Sequence, residues 1–222
     1  MQRYKTALRG AYRRLRQRQR LAMPLAFVDL FLRPNAFLKQ LHWFDTYRTR
    51  LPLTPQGPLP WLTFPAIAFL ESRLRHDLRV FEYGAGYSTL WWAARVQSVV
   101  SCEHDAVWVE DMRQRVPSNV VLLHRPLVPA IEEYCNEANR HLVDVIVIDG
   151  RNRVECAKRC LPGLSEQGVI VWDNSDRARY AEGFEFLGAA GFRRLDFTGL
   201  GPVNITLWCT SIFYRTDNCL GI

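Results

Sequence analysis

From Val80 onward the apolar residues fall into short runs separated by segments of helical period. Val80 to Tyr83, Val99 to Glu103, Val120 to Leu123, Val143 to Ile148 and Val169 to Trp172 read as strands. Thr89 to Arg95, Val107 to Arg115, Ala130 to His141 and Val154 to Leu161 read as the helices between them. The strings VIVI and VIVW show little alternation, as expected of parallel strands covered by helices on both faces. After a helix near Tyr180 to Ala190, the segments Phe192 to Phe197 and Ile205 to Tyr214 are joined through Gly199, Gly201 and Pro202 without a helix, which predicts an antiparallel hairpin. The expected fold class is α/β: a doubly wound, mostly parallel seven-stranded sheet with an antiparallel edge hairpin, plus a helical N-terminal extension.

Before Val80 the pattern is different. Tyr4, Leu8, Ala11, Tyr12 and Leu15 recur at helical spacing with arginines between them, a basic amphipathic helix. Three uses fit it: docking on its own domain or a second copy, attachment to an anionic membrane surface, or targeting as a transit peptide. Leu51 to Pro65 holds five prolines and a glycine, a connector that resists regular helix until Ala66 to Arg75. The division is therefore a basic extension with its proline-rich connector over 1–60, and a Rossmann-like domain over 61–222. The best candidate span, Leu21 to Leu32, carries Asp29 and falls short of the roughly 20 apolar residues a crossing helix needs, so a soluble, cytoplasmic protein is expected, with peripheral membrane contact left to the basic helix.

The net charge of +7 changes this picture little. Eight basic residues and no acid precede Asp29, so +7 less eight leaves −1 for the remainder. A nucleic-acid footprint would have to lie in the tail, which lacks the interleaved aromatics of a base-stacking platform, and no nucleic-acid partner is expected. Six scattered cysteines form neither a zinc pattern nor a disulfide framework and point to a reducing compartment.

The chemistry concentrates at the strand ends. In FEYGAGYST, Phe81 to Thr89, Gly84 and Gly86 allow a tight turn and close approach of backbone to ligand where the first strand meets the first helix. Glu82 is ill-suited to a pyrophosphate and well suited to an ammonium group. Glu103 ends the second strand, 21 residues after Glu82, where an acid in such folds receives ribose hydroxyls. Together they point to a nucleoside ligand with a cationic amino-acid portion.

The stretch Glu82, Gly84, Gly86, Ser88, the acid Glu103 and the strands VDVIVIDG and GVIVWDN resemble the successive motifs of class I S-adenosylmethionine-dependent methyltransferases, from Val80 to about Tyr214. The resemblance implies that Glu82 and the glycine loop, with Ser88, hold the methionine portion of S-adenosylmethionine, that Glu103 binds the ribose, and that the region of His124 and Arg125 faces the adenine. PWLTFPAIAFLESRL and TSIFYR are similar to segments of bacterial methyltransferases of small molecules or glycans, so the implied acceptor is a small molecule or glycan, methylated on oxygen.

Asp149, Asp173 and Asn174 end adjacent strands and would share one crevice as catalytic groups, Asp149 or Asp173 serving as base. They resemble the metal-ligand set of catechol-type and caffeoyl-coenzyme-A-type O-methyltransferases, which implies magnesium or calcium. Those families place a lysine three residues after the first aspartate, and Asn152 stands there, so a divalent metal is not the favoured reading. Arg151, Arg153, Arg177 and Arg179 could give the cleft a positive rim and an anionic acceptor, or be solvated surface groups. Trp91 and Trp92 are expected in the core, Trp61 and Phe64 over the pocket. Two rivals remain: a nicotinamide-dependent oxidoreductase, against which Thr89 replaces the third glycine of its fingerprint, and a noncatalytic partner protein that keeps the fold.

Overall fold

The computed structural model describes residues 19–222, so the helix expected from Tyr4 to Leu15 lies outside the described residues. Seven strands form one sheet: β1 (Arg79–Tyr83), β2 (Ser98–Glu103), β3 (Val120–His124), β4 (Val143–Ile148), β5 (Leu164–Asp173), β6 (Arg193–Gly199) and β7 (Trp208–Tyr214). Their spatial order is β3-β2-β1-β4-β5-β7-β6. The first five strands in that order are parallel. β7 is antiparallel to both β5 and β6, the expected edge hairpin. The order in which the chain adds strands reverses between β1 and β4, and that switch leaves a crevice at the carboxyl ends of the strands.

The near-continuous apolar strands feed two cores, because successive side chains leave opposite faces. Phe81, Tyr83, Ile146, Ile148, Ile170 and Trp172 pack on one face with Tyr134, Cys156 and Leu187. Val80, Val145, Val147, Val169 and Val171 pack on the other with Leu62, Leu70, Trp91 and Trp92. Both tryptophans are fully buried, as expected from sequence.

The helices, in chain order, are α1 (Gln19–Phe27), which runs on as a π turn to Leu32, α2 (Phe37–Gln40), α3 (Trp43–Thr49), α4 (Phe64–Glu71), α5 (Tyr87–Ala93), α6 (Ala106–Arg113), α7 (Ile131–Asn136), α8 (Arg153–Arg159) and α9 (Ala181–Ala189). Pro65 stands in the first turn of α4, where its missing N–H costs nothing. The connector is stitched to the edge hairpin: Thr63 N–H donates to Thr210 Oγ1 at 3.1 Å and Thr63 Oγ1 donates to the Phe197 carbonyl at 2.9 Å. α3 lies on the loop between β6 and β7, with Trp43 Nε1 donating to the Asn204 carbonyl at 2.8 Å and Val203 N–H donating to Thr46 Oγ1 at 3.1 Å.

Those contacts account for one difference from the sequence reading. β7 begins at Trp208 rather than Ile205, because residues 203–204 are drawn out to meet α3 while Ile205 and Leu207 stay exposed. The helix expected over Ala130 to His141 is α-helical only to Asn136 and tightens to a 3₁₀ turn over Glu137–Arg140. Phe64 is a second correction: its backbone starts α4 and its ring is buried in the second core, away from the pocket. Among the described residues no helix is long and apolar enough to cross a membrane.

Candidate functional site

The turn after β1 requires its first glycine on two counts. Gly84 has φ +95°, and a Cβ there would stand 2.9 Å from Gly150 Cα and 3.0 Å from Gly150 N. The turns following β1 and β4 thus touch backbone to backbone. Gly150 is equally constrained, since a Cβ on it would lie 2.1 Å from the Tyr134 hydroxyl. Gly86 serves a different purpose. Its backbone is extended, and a Cβ would meet nothing nearer than Ser88 Oγ at 3.9 Å, so its hydrogen keeps a surface of the cavity open rather than relieving strain.

Beneath this turn Glu82 is completely buried. Its Oε2 accepts from Thr89 Oγ1 at 2.5 Å and from Ser101 Oγ at 2.8 Å. Thr89 Oγ1 in turn accepts the Gly86 N–H at 2.9 Å, so the carboxylate positions the glycine turn through one hydroxyl. Oε1 has no hydrogen-bond partner among the described residues. Burial pushes the Glu82 carboxyl up to about 7 despite the nearby Ser88, Thr89 and Ser101 hydroxyls, because the loss of water around the charge outweighs them.

Above the turn lies a cavity of about 370 Å³, walled by Gly84 to Ser88, Glu103, His104, Trp108, Asp149, Gly150, Arg151 and Arg153, and roofed by Arg50, Leu51, Pro52 and Trp61. Glu103 holds its shape with both oxygens. Oε1 accepts the N–H groups of His104 and Asp105 at 2.7 and 2.9 Å, and Oε2 accepts the Ala85 N–H at 3.1 Å. Trp108 closes the same corner by donating its indole N–H to the Ala85 carbonyl at 2.7 Å.

At the ends of β4 and β5 the dominant group is Arg153. Its guanidinium donates to the carbonyls of Gly150 at 3.0 Å and Asp149 at 2.5 Å, to the carbonyl of Asp173, and to Asp149 Oδ1 at 2.8 Å. Asp149 faces the cavity. Asp173 does not: it is buried behind, its Oδ1 accepting from Trp208 Nε1 at 2.9 Å and Thr210 Oγ1 at 2.6 Å. Burial raises both carboxyls, and the neighbouring Asp149 charge helps to hold Asp173 at about 7.

Of the residues singled out in the sequence, Gly84, Gly86, Ser88, Glu103 and Asp149 line one cavity, whereas Glu82 and Asp173 stand behind its wall. Asn174 occupies a left-handed turn at φ +53° and does not line it; asparagine tolerates that conformation, which explains the residue type there. Asn152 likewise has φ +51° and directs its amide to Cys135 Sγ at 3.5 Å, so it is no substitute for a lysine base. Among the described residues no three His, Cys, Asp or Glu side chains converge to hold a metal, and the cation beside Asp149 is Arg153. His124 and Arg125 stay outside the cavity, Arg125 being bound to Glu137 at 2.6 Å. Sequence reasoning missed Thr89, Trp108, His104 and Arg50. Thr89 alone left a signal, a hydroxyl three residues into α5 where it can satisfy the helix's free N–H groups.

The two glycines should separate on mutation. Gly84→Ala is expected to destabilise the fold by about 1–3 kcal/mol through strain and overpacking, while Gly86→Ala leaves the melting temperature unchanged. Thermal melts of both variants check this. For Glu82 the sign follows from its raised folded value: the neutral form is the one the fold favours. Its contribution is complete below about pH 4 and is lost as pH rises through about 7. The wild-type melting temperature should fall between about pH 5 and pH 8, and Glu82→Gln, fixed in the neutral form, should fall less over the same series.

The sequence matches no protein-family model and no curated protein. The fold is similar to that of the precorrin-6y C5,15-methyltransferase from Geobacter metallireducens GS-15, 14% identical, with TM-score 0.54 over 77% of this chain and 96% of that one. An rRNA methylase from Streptococcus thermophilus is 16% identical, with TM-score 0.53 over 68% of this chain and 97% of that one. Spermidine synthase from Thermotoga maritima is 14% identical, with TM-score 0.51 over 66% of this chain, which spans only 56% of that longer one. With the strand order 3-2-1-4-5-7-6, the glycine turn after β1 and the acid ending β2, this protein has the class I, Rossmann-like fold of S-adenosylmethionine-dependent methyltransferases.

Proposed function

We propose that the protein is an S-adenosylmethionine-dependent methyltransferase acting on an oxygen of a small-molecule or glycan acceptor. The observation that carries this reading is the cavity where the open face of Gly86, Ser88 and the Glu103 carboxylate meet, backed by the unpartnered Glu82 Oε1. These residues fit the cofactor. Glu103 would take the ribose hydroxyls, the Gly84 to Ser88 turn would carry the methionine portion, and Trp108 and His104 would flank the nucleoside. Glu82, costly to ionise where it is buried, would be stabilised as an anion by a positive group held over the turn.

When bound, the cofactor supplies a methyl group already activated by its sulfonium. The protein's own task is alignment, exclusion of water and removal of a proton. Trp61, Leu51 and Pro52 cover the cavity and limit water. Asp149 is the carboxylate that faces the cavity, and we assign it the proton of the acceptor hydroxyl. Arg153 fixes its orientation by the bond to Oδ1, and Asp173 acts as a positioning residue behind it.

Calorimetric titration tests the cofactor. S-adenosylmethionine and S-adenosylhomocysteine should bind and NADH should not; Gly86→Ala, which keeps its melting temperature, should weaken S-adenosylhomocysteine by about tenfold or more, as expected of a methyl group standing in the space the ligand fills. Binding of NADH alone would make the protein an oxidoreductase, and silence throughout a noncatalytic partner. For the base, Asp149→Asn should lower kcat by about 10²-fold or more with cofactor affinity retained. Since a base must be unprotonated and burial raises the Asp149 carboxyl above its ordinary value, wild-type kcat should decline with falling pH at a higher pH than an exposed aspartate would set. A larger loss in Asp173→Asn than in Asp149→Asn would exchange the two roles.

A further inference from the structure

Beside the first cavity lies a second cleft of about 310 Å³, lined by Arg151, Asn152, Arg153, Arg177, Arg179 and Tyr180. The two share Gly150, Arg151 and Arg153 as a common wall, so a molecule in one can reach the other. The arginines are not equivalent. Arg153 has its donors committed to three carbonyls and to Asp149, and forms floor rather than binding surface. Arg179 is held in place, donating to the Tyr180 hydroxyl at 3.1 Å with its guanidinium carbon 5.0 Å from that ring. Arg151 and Arg177 make no side-chain hydrogen bond or ion pair among the described residues, although both stand in the wall of a concave surface. Among the described residues no carboxylate lines this cleft. The nearby Asp176 is turned away, accepting the Cys209 N–H at 3.1 Å.

Three guanidiniums lining one concave surface, with Asp149 of the neighbouring cavity as the carboxylate that feels Arg177, suit an oxyanion. Like charges gathered on one concave surface repel, and the planar fork of arginine binds phosphate oxygens in pairs. A dianion matches three positive groups better than a singly charged carboxylate. We propose that this cleft is the subsite for a phosphate group on the acceptor, with Arg151, Arg177 and Arg179 as its donors. The acceptor would then lie across the shared wall, its phosphate in the second cleft and its hydroxyl toward Asp149. This rests on the methyl-transfer reading only for the word acceptor; the anion site itself does not.

The experiment is calorimetric titration of the full chain with inorganic phosphate, pyrophosphate and acetate at low salt, repeated on Arg177→Ala/Arg179→Ala and in the presence of S-adenosylhomocysteine. Both residues are exposed, so folding should be unaffected, which a melt confirms. Phosphate and pyrophosphate should bind more tightly than acetate and weaken with added salt. The double variant should lose about tenfold or more in their affinity, the consequence of removing charge-assisted bonds, while S-adenosylhomocysteine binds as before. Phosphate affinity unchanged in the variant, or acetate bound as tightly as phosphate, would overturn the proposal. Phosphate binding that survives in a protein indifferent to S-adenosylhomocysteine would leave the anion site standing and remove methyl transfer.

Discussion

The turns leaving β1 and β4 press together at Gly84 and Gly150, and that contact forms the base on which the cavity is built. β1 sends its chain on into α5, against the core of Trp91 and Trp92, while β4 sends its chain into α8, against the core of Tyr134 and Cys156. Neighbouring strands that part in this way open a crevice whose base must be closed by backbone alone. Any side chain at either position would wedge the turns apart, since a Cβ at Gly84 or Gly150 has less than about 3 Å of room.

Charge inside the crevice is arranged around that closed base. Two acids, Glu82 and Asp173, are buried behind its wall and shifted toward neutrality by loss of water. They contribute position: Glu82 holds the glycine turn through Thr89, and Asp173 joins the sheet to Trp208 and Thr210 on the edge hairpin. The acids left facing the cavity, Glu103 and Asp149, have their geometry fixed by backbone N–H groups in the first case and by Arg153 in the second. Arg153 is the cation bonded to Asp149. Its fork gathers the carbonyls of Asp149, Gly150 and Asp173, a task a lysine's single ammonium would perform with fewer and less directional bonds.

The segment before the sheet completes the enclosure. Arg50, Leu51, Pro52 and Trp61 reach over the cavity because Thr63 and α3 bind the edge hairpin and its loop, far along the chain. A hairpin that terminates the sheet therefore also anchors the roof of a site at its centre.

The sequence by itself determined the strands, their near-continuous apolar faces, the hairpin, the glycine turn and the acids at the strand ends. These are local: period, turn chemistry and strand-end position are written within a few residues of one another. Tertiary structure decided which side of the wall each group occupies. Glu82 and Glu103 are both strand-end acids, yet one is sealed beneath the turn and the other lines the cavity; Trp61 and Phe64 are three residues apart, yet one is roof and the other core. Asn174, expected among the catalytic groups, takes a left-handed turn that does not line the cavity, while Arg153, one of four arginines expected at its rim, became the central donor. The reason is physical: burial, charge and hydrogen-bond partners are set by residues dozens of positions away, and no local pattern carries the direction in which a side chain will point once those residues are packed against it.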